Sequence, residues 1–103
     1  MKTIKVGSHR GTGRLWLEGK WLASAHFTKG QRFTLIVNGA SATLALTAEG
    51  TRQVSGKTKG DSIIPVIDIN AAEISHLIGT VTVAVADGII TIAKAEQQQT
   101  IAA

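Results

Sequence analysis

The chain has 103 residues, 44% hydrophobic but only 4% aromatic, with one proline and no cysteine. That composition describes one core built of Val, Ile, Leu and Ala, and it excludes a disordered chain, a disulfide framework and a thiolate metal site. The net charge of +4 is unevenly spread, since residues 1–48 hold seven Lys and Arg against Glu18 alone, whereas residues 49–103 hold four against six acids.

In chain order, "KTIKV" alternates Ile4 and Val6 with polar neighbours, the period of a half-buried strand, and "GSHRGTG" is a glycine-rich turn carrying His9 and Arg10. "RLWLEG" repeats the alternation, with Leu15 and Leu17 on one face and Trp16 on the other, so the two strands read as a hairpin. "KWLASAHF" sets Leu22 and Ala25 at helical spacing beside Trp21, which predicts about two helical turns. "QRFTLIV" places Phe33, Leu35 and Val37 on one strand face, "NGAS" turns the chain, and "ATLAL" places Leu44 and Leu46 on another. From Thr51 the same order returns. "TRQVSGKTKGDS" mirrors "TIKVGSHRGTG", "IPVIDIN" supplies a strand through Ile67 and Ile69, and "AAEISHLIG" predicts a second two-turn helix with Ile74, Leu77 and Ile78. "TVTVAV" puts Val81, Val83 and Val85 on one face, "ADG" turns, and "IITIA" closes with Ile90 and Ile92.

The expected architecture is therefore mainly β with two short helices, a single domain over 1–94 made of two ββαββ repeats, 1–48 and 49–94. Roughly 50 residues seldom bury enough surface to fold alone, so the repeats must share a core. Residues 95–103 carry no periodicity and read as a flexible tail. No run approaches the ~18 apolar residues of a membrane span, and Met1-Lys2 leads into alternation where a signal peptide needs an apolar block. The expectation is a cytoplasmic protein without membrane association.

Residues Leu15, Leu17, Gly19, Lys20, Trp21, Leu22, Ala25, Phe27, Gly30 and Gln31 form a pattern, "RLWLEGKWLASAHFTKGQRFTLIV", that resembles the core signature of the SymE toxin family. The match covers about the first 45 residues. That family is similar to the AbrB/MazE superfamily of toxin–antitoxin and transcription-regulating proteins, whose ββαββ units dimerise into a swapped-hairpin β-barrel. The resemblance implies that two halves, normally from two chains, are fused here into one pseudo-dimer. His26 stands where the family usually has glycine at the helix end, and His is among the residues that reach left-handed backbone geometry most readily, so a capping role is expected of it.

Spacing offers little catalytic chemistry. His9, His26 and His76 fall in a turn, a helix end and a helix with no metal-binding spacing, and Ser8-His9 and Ser75-His76 lack a third partner nearby in sequence. No metal and no cofactor are expected. The remaining feature is a basic hairpin: Lys5, His9, Arg10 and Arg14 in the first repeat and Arg52, Lys57 and Lys59 in the second. In the AbrB-like superfamily the paired first hairpins form the DNA-contacting face, and the resemblance extends that role to these positions by their place in the element order. Lys can hold phosphates, and Arg can read guanine edges with two parallel bonds. The expected function is that of a non-enzymatic regulator binding duplex DNA as a monomer or homodimer. Two alternatives stay open: a SymE-like endoribonuclease acting on RNA, for which His9 with Glu18 or Arg10 is the candidate acid–base set, and an inhibitor of nucleic-acid processing that docks on a protein through Trp16.

Overall fold

Alternation builds the first hairpin as expected. In the computed structural model, which describes residues 2–94, strands Lys2–His9 (β1) and Thr12–Glu18 (β2) meet at a two-residue turn in which Arg10 and Gly11 adopt φ of 56° and 83°. Positive φ at both central positions is the turn whose twist matches that of the flanking strands. A five-residue α-helix, Lys20–Ser24 (α1), follows, then Arg32–Asn38 (β3) and Ser41–Leu46 (β4). The second half runs Arg52–Gln53 (β5), Ser55–Lys59 (β6), Ser62–Ala71 (β7), a 3₁₀ helix Ala72–Leu77, Gly79–Ala86 (β8) and Ile89–Lys94 (β9). Residues 95–103, where a flexible tail is expected, lie outside the described residues.

The first helix is shorter than the predicted two turns, and the second makes its two turns as a six-residue 3₁₀ helix. The first stops because His26, at φ 73°, turns the chain: its N–H bonds to the Ala23 carbonyl and the N–H of Phe27 reaches back to Leu22. This six-to-one closure sets Phe27 and Leu22 together in the core, so His26 occupies the capping position foreseen for it. The second helix has no side-chain cap, and its two buried residues, Ile74 and Leu77, stand three apart, the spacing that lines up on a 3₁₀ turn. Ile78, predicted to share that apolar face, is instead exposed beyond its end.

All nine strands among the described residues join one antiparallel sheet in the order β5-β3-β4-β9-β8-β1-β2-β7-β6. The strands at the two ends of that order, β5 and β6, are separated in sequence only by Val54, which bonds to Gly30 and Gln31 on one side, so the sheet returns on itself as a barrel. Strand order shows the exchange. β1 pairs with β8, β2 with β7, β4 with β9 and β3 with β5, and each of these pairs takes one strand from either half. The β1–β2 hairpin thus lies between strands of the second half and borders neither β3 nor β4. The fold is a swapped-hairpin barrel of two ββαββ repeats in one chain.

The core is common property. Leu15, Leu17, Leu22, Phe27, Phe33 and Leu44 from the first half pack with Ile67, Ile69, Ile74, Leu77, Val83, Ile90 and Ile92 from the second. The helices cross over too: the 3₁₀ helix lies on β2, where a Cβ on Gly13 would stand 2.6 Å from the Ile74 carbonyl oxygen, while α1 lies against β7. Val85, predicted on one face with Val81 and Val83, is 40% exposed: it faces buried Ile90 on β9, but on its other side β1 begins only at Lys2, opposite Val83. No helix among the described residues is long and apolar enough to cross a membrane.

Candidate nucleic-acid interface

Facing residues of an antiparallel pair share a sheet side, so register assigns each side chain. Leu15 and Leu17 of β2 lie opposite Ile69 and Ile67 and point inward, which turns Arg14, Trp16 and Glu18 outward with Asn70 and Asp68, while Val66, opposite Glu18 in the same row, is buried. The same logic puts Lys57 and Lys59 outward, opposite Ile64 and Ser62, and His9 outward opposite Thr12. Lys5, in the row alternating with buried Val6, joins them. Arg10 sits in the turn itself. Six of the seven predicted residues therefore share the outer face and tip of one four-stranded sheet, β1-β2-β7-β6. Arg52 does not. It lies opposite buried Phe33, on the inward row at the barrel end, and reaches Glu73 of the 3₁₀ helix at 3.6 Å.

The two hairpins run in opposite directions along this sheet. Gly13 lies opposite Ala71, which makes Thr12 level with Ala72, ten positions along from Ser62 at the second tip. At about 3.3 Å per residue the tips stand about 33 Å apart. Both extend past the core: Ser8, His9, Arg10 and Gly11 are exposed, as are Lys57 through Ile63, and the protein measures 50 × 24 × 24 Å.

Between the tips runs a chain of charge-assisted contacts that sequence reading did not find. Asp68 accepts two 3.0 Å hydrogen bonds from the Arg14 guanidinium, which lies 5.2 Å from the centre of the Trp16 ring. The Trp16 indole N–H donates to Glu18 at 3.0 Å, and Lys57 holds the other Glu18 oxygen at 2.8 Å. The hydrogen bonds to Asp68, with its charge, raise the Arg14 pKa further. The Lys57 hydrogen bond, then that of Trp16, holds the Glu18 carboxyl below its ordinary value. Half of this chain was legible: Arg, Trp and Glu at alternate positions of one strand mark a shared outer face. Asp68 and Lys57 needed the pairing of β2 with β7 and β7 with β6.

Lys5, His9, Arg10 and Lys59 have no acidic partner among the described residues. His9 and Glu18, one candidate acid–base set, are not brought together: His9 is level with Thr12, six residues up β2 from Glu18, or about 20 Å away. His9 and Arg10 remain neighbours at the tip. Among the described residues no three His, Asp or Glu side chains converge as a metal site would require.

Comparison with protein-family models, with curated proteins and with solved structures yields no match.

Proposed function

We propose that this protein binds duplex DNA through the outer face of β1-β2-β7-β6 and acts as a DNA-binding regulator. The observation that carries the reading is the spacing of the tips. Two exposed, cation-bearing hairpin tips about 33 Å apart on one side of a molecule match the ~34 Å helical turn of B-form DNA, so both can engage the same side of a duplex. Lys59 at one end and Arg10 at the other supply cations that no protein carboxylate holds among the described residues. Arg10 adds a second support. It occupies left-handed backbone space that Gly or Asn fills at lower cost, and a residue kept against such a preference points to a use for its side chain. The resemblance of the first repeat to a superfamily that contacts DNA through this hairpin points the same way.

The test is binding of the full chain to duplex DNA over a salt series. The expected result is affinity that falls steeply with salt, with Arg10→Ala and Lys59→Ala each weakening it and each flattening the log–log slope by about one unit. Affinity indifferent to salt, or unchanged in both variants, would refute the reading. Shortening of an RNA substrate over time would favour the ribonuclease alternative.

A further inference from the structure

We infer that Trp16 is a stacking platform for an unstacked nucleobase, an inference that rests on the nucleic-acid reading above and adds to it a specific chemistry. Three observations converge on this side chain. It is 46% exposed, in a protein with only four aromatic residues, of which both phenylalanines are fully buried and the other tryptophan is partly so. It stands midway between the tips: if Thr12 marks one level and Ser62 the other, the halfway point along β2 falls at Leu17, one residue from Trp16. A polyanion touching both tips must pass over it.

The third observation is that the ring is already held. Its N–H is anchored on Glu18, which Lys57 fixes in turn, and the Arg14 guanidinium, itself fixed by Asp68, lies over the indole. An exposed tryptophan ordinarily samples several rotamers and loses that freedom on binding; here contacts on two sides restrict it beforehand, which favours association. The exposed part of the indole then offers an apolar, polarisable plane between two neutralised ion pairs, Arg14 with Asp68 and Lys57 with Glu18, and such a plane suits the face of a base whose strand is held at the cationic tips. Bases inside a regular duplex already stack on each other, so the platform has a use only where one is unpaired or extruded. A single strand and a distorted duplex are the two sources of that one chemistry.

The experiment compares wild type, Trp16→Ala and Trp16→Phe on three probes: a short oligothymidylate, its duplex with oligoadenylate, and the same duplex carrying one bulged thymidine. Thermal melts check that the variants fold. The expected result is that Trp16→Ala weakens binding to the single strand or the bulged duplex about tenfold or more, that Trp16→Phe retains most of it, and that the regular duplex changes less than about twofold. Loss on the single strand alone identifies that source, and loss on the bulge alone identifies the other. Equal loss on all three probes, or no loss on any while wild type binds them, overturns the stacking role and leaves duplex binding standing; the second outcome is also the one expected of an indole reserved for a protein partner. Wild type that binds the single strand and the bulge but not the regular duplex refutes the duplex reading instead, and wild type that binds none of the three overturns both.

Discussion

The first half of the chain ends its helix with a six-to-one hydrogen bond from Phe27 to Leu22 around the left-handed His26, and its opening strand β1 is continuous; the second half uses a six-residue 3₁₀ helix that ends on a bond from the Ile78 N–H to the Ser75 carbonyl, and its opening strand is interrupted at Val54. Small contacts diverge just as far. Lys2 at the start of β1 lies 5.0 Å from the ring centre of Trp21 on α1, while Arg52, which stands where the first half has Ile4, reaches the carboxylate of Glu73 on the 3₁₀ helix. The topology nonetheless repeats, because what the swapped barrel requires of each half is a strand pair, a short reversal and a second pair with inward apolar rows. The reversal need only be brief and bury two or three residues. Chemistry at its surface is left free to differ, and the two hairpin tips have used that freedom.

The largest expected effect breaks the comparison outright. A fragment of residues 1–48 should lose the cooperative thermal transition or recover it only as a dimer, since β1 and β2 would lack β8 and β7 and their inward faces would meet water. Melting followed by circular dichroism, with sedimentation for mass, decides it; a monomer that melts cooperatively would contradict the exchange of strands.

Next come the two reversals. Phe27→Ala removes a fully buried ring packed edge-on against Phe33 and should destabilise by about 3–5 kcal/mol, and Leu77→Ala, its counterpart under the 3₁₀ helix, by about 2–5 kcal/mol. Chemical denaturation of both variants would sharpen the comparison by showing which reversal bears more of the shared core.

The tips should respond with opposite signs in stability and binding. Arg10→Asn places a residue suited to left-handed backbone before Gly11 and should stabilise the fold by up to about 1 kcal/mol while weakening duplex DNA. The second tip already has Gly60 at φ 62°, so Lys59→Asn should weaken binding with no gain in stability. Paired melting and binding measurements test this. A stabilised Arg10→Asn that binds as well as wild type would detach the first tip from function.

The smallest effect is a pH dependence. The Glu18 carboxyl is held below its ordinary 4.5, chiefly by the Lys57 hydrogen bond, so its contribution is fully present above 4.5 and is lost as pH falls through the lowered value. Wild type should therefore lose slightly more stability across that acid window than Lys57→Ala does. The pair is exposed at the surface, and the difference should be small.

Much of the fold could be read from alternation alone, since Leu15/Leu17, Phe33, Leu44, Ile67/Ile69, Val81/Val83 and Ile90/Ile92 all take the inward rows that a period of two assigns them. Helix length could not, because it depends on where the chain turns: at His26 by backbone geometry, and at Ile78 by leaving helical φ,ψ space altogether. The site divides in the same way. The outward placement of Lys5, His9, Arg14, Lys57 and Lys59 follows from parity within each strand. Which of them are already engaged follows from register between strands far apart in sequence, Trp16 against Asp68 and Lys57 against Ile64, and no local pattern encodes that. Arg52 shows the limit most plainly. It lies in the same opening strand as the other cations of its half, but in the repeat it takes the place of Ile4, and its parity matches buried Val54 and takes it to the barrel end.

The most direct measurement is a map of backbone amide shifts on the full chain as duplex DNA is added. The barrel offers a built-in control, for beyond Arg32, which opens β3, the outer rows of β3, β4, β9 and β8 present Thr34, Ile36, Thr43, Ala45, Thr91 and Ala84 with no charge among them. Changes concentrated at residues 5–16 and 55–62, with both tips affected and that uncharged face silent, are the expected result. Changes confined to one tip, or centred on Thr43 and Thr91, would contradict the two-tip interface.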